Sequence, residues 1–303
     1  MKSKFEISKK DPSSGTHFSK DPRSRPFERA PLQKKGLSQV FLKTTEPLKK
    51  VSSTLRSLGI KQVLEIGPGG GILTEELVKS GFRVTAIETD ERFVEHLAVL
   101  FSTINAPSGA SLDLVHKDFL KYPVDEWLQS TPEVKALVGN IPYHISSPIL
   151  LRILAQTHPS LGAVILMTQK EFADRLVASP GSKDYGSLSV FAQLRMKVSL
   201  LEIVPRHLFS PVPKVDSALF LAVPWETPFP SEELQMVEKI TRLAFAQRRK
   251  KLHNALSGYP GFKNLPLESS PLDLSLRADA VSPQAYYDFA MWVNQHQRDH
   301  KIP

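Results

Sequence analysis

The sequence predicts an α/β fold: a parallel sheet with helices on both faces, followed by a small helical domain. Three observations lead there. From about Thr44, short apolar runs alternate with helical stretches, the pattern of a sheet whose strands are joined by crossover helices. A glycine cluster, Gly67-Pro68-Gly69-Gly70-Gly71, sits between the first apolar run and the helix after it. Beyond Pro230 the strand signals fade and helical ones remain.

Residues 1–30 are rich in Ser, Pro, Lys and Asp, show no apolar periodicity and read as disordered. A helix is expected near 45–57, a strand at Gln62–Ile66, then the glycines and a helix through Leu77. A strand at Arg83–Glu88 leads to a helix near 91–100, and further strands fit 113–116, 136–139 and 163–167. From about 186 a helix and two strands follow, near 197–204 and 217–223. The stretches 231–256 and 283–295 read as helices with a Pro-rich connector between them. The expected organisation is a basic tail over 1–35, a large domain over 36–228 and a small helical domain over 229–303.

Composition narrows the classes. The 303 residues, 41% of them hydrophobic, suffice for one large and one small domain. Cysteine is absent, which excludes disulfides, thiolate metal sites and cysteine nucleophiles and fits a reducing cytoplasm. No apolar run reaches the length of a membrane span and no hydrophobic signal core opens the chain, so a cytoplasmic location is expected. The net charge of +8 favours a polyanionic partner, and residues 1–35, with ten cations against four anions, hold +6 of it. On charge alone a solubilising arm and a nucleic-acid arm are even readings of that segment. Its acidic residues and its preference for Lys over Arg count against a mitochondrial transit peptide.

The glycines at a strand's carboxyl end let backbone approach a ligand closely. A dinucleotide loop of the form GxGxxG would need glycine at 72, where Ile72 stands, and this demotes NAD. Glu88 ends the second strand, 21 residues after Gly67, where an acid can accept two hydrogen bonds from a ribose diol. Asp118, past the third strand, can accept from the exocyclic amine of an adenine. Either carboxylate alone is more often a helix cap or a solvated strand end. On three successive strand ends, the glycine loop and the two acids fit the adenosine half of S-adenosylmethionine.

The fourth strand ends in Gly139-Asn140-Ile141-Pro142-Tyr143-His144. An adenine's 6-amino nitrogen is a poor nucleophile because its lone pair is delocalised into the ring. An Asn oxygen and a carbonyl held rigid by proline can accept its two N–H bonds and favour the pyramidal form. An aromatic ring such as Tyr143 can stack on the base. In isolation Asn-X-Pro-Tyr is a loop with an Asx turn; its place at a strand's carboxyl end favours the chemical reading.

These residues resemble the ribosomal RNA adenine dimethyltransferases, over about Gly36 to Leu256. The likeness covers Ser38 to Leu42 (SQVFL), Val63 to Gly69 (VLEIGPG), Gly139 to Pro148 (GNIPYHISSP) and Gln169 to Glu171. It continues through Pro180 to Gly186 (PGSKDYG), Phe209 to Ala218 (FSPVPKVDSA) and Ala244 to Lys250 (AFAQRRK). The resemblance implies a Rossmann-like S-adenosylmethionine-dependent methyltransferase fold, acting as a monomer on small-subunit ribosomal RNA. It implies that Gln39, Val40, Leu42, Gly67, Glu88, Asp118 and Asn140 line the S-adenosylmethionine pocket, and that Asn140, Pro142, Tyr143 and Phe209 hold the target adenine. Phe209 otherwise reads as a core residue beside proline turns. PGSKDYG and PKVDSA look more like the small-subunit enzymes than the large-subunit resistance methylases.

The chain departs from the family at two places. Ser38 and Val40 replace the usual Gly and Asn of Gly-Gln-Asn-Phe-Leu, and His144 stands where an Asn often follows Asn-X-Pro-Tyr. His144 reads as a packed or solvated variant, and no His/Asp/Glu spacing supports a metal site. For RNA, the run Arg248, Arg249, Lys250, Lys251 on the presumed first helix of the small domain is expected to meet phosphates, with its bland reading a solvated surface. Lys183 and Tyr185 mark a second RNA-facing loop. Two other functions stay open: a large-subunit adenine methylase conferring macrolide resistance, and a ribosome-assembly factor whose methylation is dispensable.

Overall fold

A computed structural model describes residues 41–156 and 158–300. The expected tail over 1–35, and Gln39 and Val40, lie outside the described residues. The chain enters as a two-residue strand, β1 (Phe41–Leu42), followed by α1 (Glu46–Ser57). Leu48, Val51, Ser52 and Leu55 form the buried stripe of α1, at the i, i+3, i+4, i+7 spacing of one helix face. Then come β2 (Gln62–Ile66), α2 (Ile72–Lys79), β3 (Arg83–Glu88), α3 (Glu91–Ser102) and β4 (Ser111–His116). The Asp90 carboxylate starts α3 by accepting from the Arg92 amide at 3.2 Å, an N-cap that satisfies one orphan donor. α4 (Val124–Gln129), β5 (Lys135–Asn140), α5 (Ser146–Leu154) and β6 (Leu161–Gln169) complete the alternation.

β2, β3 and β5 are nearly continuous buried runs, as strands covered by helices on both faces are, whereas β4 at the sheet edge buries only Leu112. The β2–β3, β3–β4, β2–β5 and β5–β6 pairs are all parallel, as expected. After α6 (Lys170–Val177) and α7 (Ser187–Arg195) the chain adds β7 (Met196–Val204), the short β8 (Phe209–Ser210) and β9 (Ser217–Pro224). The seven-stranded order is β4-β3-β2-β5-β6-β9-β7. The chain runs outward from β2 through β3 to β4, then returns to β5 on the other side of β2. Connections from β2 and β5 therefore diverge, and such a switch point opens a crevice at the strands' carboxyl ends. β8 pairs antiparallel with β1, setting Phe209 opposite Leu42.

Among the described residues one compact unit holds 41–170 and 201–221, and the other holds 171–200 and 222–300. This corrects the boundary expected at 228/229. The segment 171–200 joins the second unit because Ala178, Tyr185, Val190 and Leu194 bury their side chains in one cluster with Leu234, Val237, Ile240, Tyr286 and Phe289. The expected helix over 231–256 is also broken. α8 (Ser231–Ala246) stops, residues 247–250 turn, and α9 (Leu252–Ala255) follows, with α10 (Pro283–His300) closing the described chain. Among the described residues no helix is long and apolar enough to cross a membrane.

Candidate active site

A cavity of about 320 Å³ opens at the carboxyl ends of the first unit's strands. Its wall includes Leu42, Gly67, Glu88, Asp118, Asn140, Pro142 and Tyr143, so residues expected from four strand ends and from β1 meet in one place. Two glycines make the close approach possible. Gly71, which starts α2, has φ +86°, and a Cβ there would lie 2.5 Å from Leu97 Cδ2. At Gly139, just before Asn140, a Cβ would lie 2.7 Å from the Ile66 carbonyl oxygen, so glycine lets β5 run against the end of β2.

Glu88 is buried, and three backbone amides hold its carboxylate. Gly69 N–H donates to Oε2 at 3.0 Å, and Thr89 and Asp90 N–H donate to Oε1 at 2.8 and 3.0 Å. Burial raises its pKa above the ordinary carboxylate value, and these bonds oppose the rise. Asp118 is half-buried and caps a short 3-10 turn, its Oδ1 accepting from Leu120 N–H at 2.9 Å. Among the described residues its other oxygen accepts no hydrogen bond, so a capping residue also presents an open acceptor at the cavity wall.

Sequence reasoning missed Glu65 as a site residue. It lines the cavity at 1% exposure, and its Oε2 has no hydrogen-bond partner among the described residues. Burial pushes its pKa up to about 8, the nearby Thr74 hydroxyl opposing and the Glu88 charge adding. The signal was present, since an acid inside the apolar run Val63-Leu64-Glu65-Ile66 needs a reason to be there.

Asn140 ends β5 half-buried, and its side-chain amide has no hydrogen bond among the described residues. The Pro142 carbonyl accepts from Ile145 N–H at 3.1 Å and from Ser146 Oγ at 3.3 Å, which fixes its direction. Tyr143 stands in the next 3-10 turn, half-buried, with its hydroxyl 2.8 Å from Ser217 Oγ. Burial raises the Tyr143 pKa, and the Ser217 bond opposes the rise. Phe209 is not brought to the cavity wall. It is fully buried in the same core cluster as Leu42, with which it pairs across β1 and β8. The side chain of His144 lies outside the description.

The expected RNA contacts fall in the second unit and divide. Tyr185 is not a surface residue: it is fully buried and donates its hydroxyl to the Val281 carbonyl at 2.8 Å. Burial raises its pKa far above the ordinary phenol value. Its core packing on Phe245 overturns the RNA-facing expectation, while Lys183 two residues earlier is exposed. The cationic run is not on a helix, since α8 ends at Ala246. Arg248 turns back to Asp279 (Nε to Oδ2, 3.3 Å) and to the Ser182 carbonyl (3.1 Å), which leaves Arg249 and Lys250 as its exposed cations beside Lys251.

The family model for ribosomal RNA adenine dimethylases matches residues 31–295. Ribosomal RNA small subunit methyltransferase A of Francisella tularensis subsp. novicida is 32% identical over 261 residues, covering 86% of this chain and 97% of that protein. The protein of the same name from Geobacillus thermodenitrificans is 36% identical, covering 83% and 84%. Among solved structures, a dimethyladenosine transferase from Plasmodium falciparum superposes with a TM-score of 0.67 at 24% identity, covering 86% of this chain and 98% of that one. The 23S rRNA methyltransferase ErmE superposes with a TM-score of 0.62 at 28% identity, covering 84% and 100%. With a family match across most of its length and a methyltransferase sheet whose crevice gathers the motif residues, the chain belongs to the ribosomal RNA adenine dimethylase family and is an S-adenosylmethionine-dependent rRNA adenine methyltransferase.

Proposed function

We propose that this enzyme dimethylates the 6-amino nitrogens of two adjacent adenosines in small-subunit ribosomal RNA during ribosome biogenesis. The observation that carries the reading is Asn140. Among the described residues its side-chain amide has no hydrogen-bond partner, and it stands at the carboxyl end of β5 in one cavity with Glu88 and Asp118. A polar group left open at a cavity wall suits a substrate that supplies the missing partner.

The cavity fits S-adenosylmethionine. The buried carboxylate of Glu88 suits a ribose hydroxyl, and the open oxygen of Asp118 suits an adenine amine. Gly67 and Leu42 supply wall, and Gln39 and Val40 would add contacts by family likeness. The cofactor, when bound, supplies the methyl group on a sulfonium. The chain's own task is to present the acceptor. Asn140 Oδ1 and the Pro142 carbonyl accept the adenine's two N–H bonds, so the nitrogen lone pair turns out of the ring plane. For the Pro142 carbonyl to do so, the longer Ser146 contact gives way. Tyr143 packs on the base, and the proton leaves after transfer, so no strong base is required. In the second unit Lys183, Arg249 and Lys250 meet phosphate and add affinity that falls with salt.

The small-subunit assignment is favoured by PGSKDYG, by PKVDSA and by the small-subunit methyltransferases at 32–36% identity. The test is incubation with labelled S-adenosylmethionine and undermethylated small or large subunits, followed by nucleoside mass spectrometry. Dimethyladenosine in small-subunit RNA is expected. Label confined to large-subunit RNA would reassign the target, and tight small-subunit binding without methylation would leave an assembly factor.

A further inference from the structure

We propose that Ser217 is a positioning residue for the adenine pocket, its hydroxyl fixing where the Tyr143 ring points. The inference rests on the base-packing role given to Tyr143 above. Tyr143 belongs to a three-residue 3-10 turn, Tyr143–Ile145, and its ring forms part of the cavity wall. A half-buried ring on so short a turn gains little restraint from its own backbone. Its hydroxyl lies 2.8 Å from the hydroxyl of Ser217, 74 residues further along the chain.

Ser217 is a firm anchor. It is fully buried at the first position of β9. The residue before it is tied twice: the Asp216 carbonyl accepts from Lys170 N–H at 3.0 Å, and its Oδ1 accepts from Arg206 N–H at 2.9 Å. A tyrosine's oxygen lies on the axis about which the ring flips. A bond at that oxygen therefore restrains the direction of the ring axis, set by χ1, and leaves the flip to the packing of the walls. The ring is thus held at both ends, by Cβ in the turn and by the hydroxyl on the sheet. A base resting on a ring so fixed keeps its amino nitrogen aimed, and reactive geometry is what such restraint protects.

The experiment compares Ser217→Ala, Tyr143→Phe and the double variant in steady-state methylation, with Ser217→Thr as the hydroxyl-retaining control. Each single variant should lower kcat by about three- to tenfold, the scale of one hydrogen bond. The KM for S-adenosylmethionine should stay near wild type, and the double variant should be no worse than either single, because both remove the same bond. Ser217→Thr should keep most of the turnover. Losses that multiply in the double variant, or wild-type kcat in Tyr143→Phe, overturn the inference. Tyr143→Phe removes the bond without disturbing the β9 core, so a misfolded Ser217→Ala does not shelter it. Tyr143→Leu separates the two claims. If it turns over normally, the role of Tyr143 itself falls. If it is impaired while Tyr143→Phe and Ser217→Ala are normal, the Ser217 inference alone falls.

Discussion

Glu65 offers a stability measurement whose sign and size follow from the structure. The residue is 1% exposed, one carboxyl oxygen lacks a hydrogen-bond partner among the described residues, and burial pushes its pKa from 4.5 up to about 8. The folded protein therefore holds a proton that the unfolded chain releases in the ordinary carboxylate range. The stability this confers is full below about 4.5, falls as pH rises, and is gone above about 8. Across that window the loss amounts to roughly 5 kcal/mol at its upper bound, or about 1.4 kcal/mol for each pH unit. Glu65→Gln keeps the shape of the protonated acid and removes the titration. Urea unfolding of both proteins at pH 5.5, 7 and 8.5 should show the wild type losing ground to the variant as pH rises. Glu88, also raised by burial, titrates in both proteins, so the difference between them reports Glu65 together with its coupling to the Glu88 charge. Stability curves that run parallel from pH 5.5 to 8.5 would refute the reasoning, because they would mean that Glu65 is ionised or hydrated in the fold.

Asn140→Ala should cut methyl transfer by roughly two to three orders of magnitude, as loss of one aimed polar group does, with RNA affinity nearly unchanged because phosphates carry it. Single-turnover methylation and filter binding check this, and near-normal turnover would remove Asn140 from the chemistry. Tyr185→Phe strips a buried donor from the Val281 carbonyl and should cost about 1–3 kcal/mol of stability while leaving RNA binding intact. Weakened RNA binding in a variant of wild-type stability would restore Tyr185 to the RNA-facing surface. Val40→Asn restores the amide that relatives usually carry and should tighten S-adenosylmethionine binding by up to about tenfold at unchanged saturated turnover. Calorimetry that finds equal or weaker binding would mean the backbone makes the contact.

The sheet was legible because its strands are apolar runs punctuated by turn residues, and β2 and β3 fall at the expected residues. The crevice was legible for the same reason, since motif residues at strand ends must meet at a switch point. Less legible was anything decided by tertiary packing. Tyr185 lies in a polar stretch, Ser182-Lys183-Asp184, that reads as surface, yet its ring is needed to fill the second core against Phe245. Phe209 is drawn into the core by its pairing with Leu42 and does not reach the cavity wall, a placement no local pattern reports. The helix expected over 231–256 carries helix formers throughout, and what breaks it is local: Gln247 leaves helical geometry and Arg248 finds partners in Asp279 and Ser182. No periodicity reports a partner thirty residues away.

Glu88 shows how counting lone pairs refines a motif. The sequence leaves its carboxylate free to take two bonds from a ribose diol. A carboxylate has about four acceptor positions, and in the fold the Gly69, Thr89 and Asp90 amides fill three of them. Oε1 is saturated by its two amides, and Oε2 keeps one position beside Gly69. A single diol hydroxyl therefore joins Glu88 without disturbing the loop. A second must replace the Gly69 N–H, which then faces the cavity as a free donor. On the proposed reading, ribose recognition and the shape of the glycine turn leading into α2 are coupled through this bond. If Glu88 takes both hydroxyls of the ribose, as the proposed reading has it, the Gly69 amide is the group that the second hydroxyl displaces.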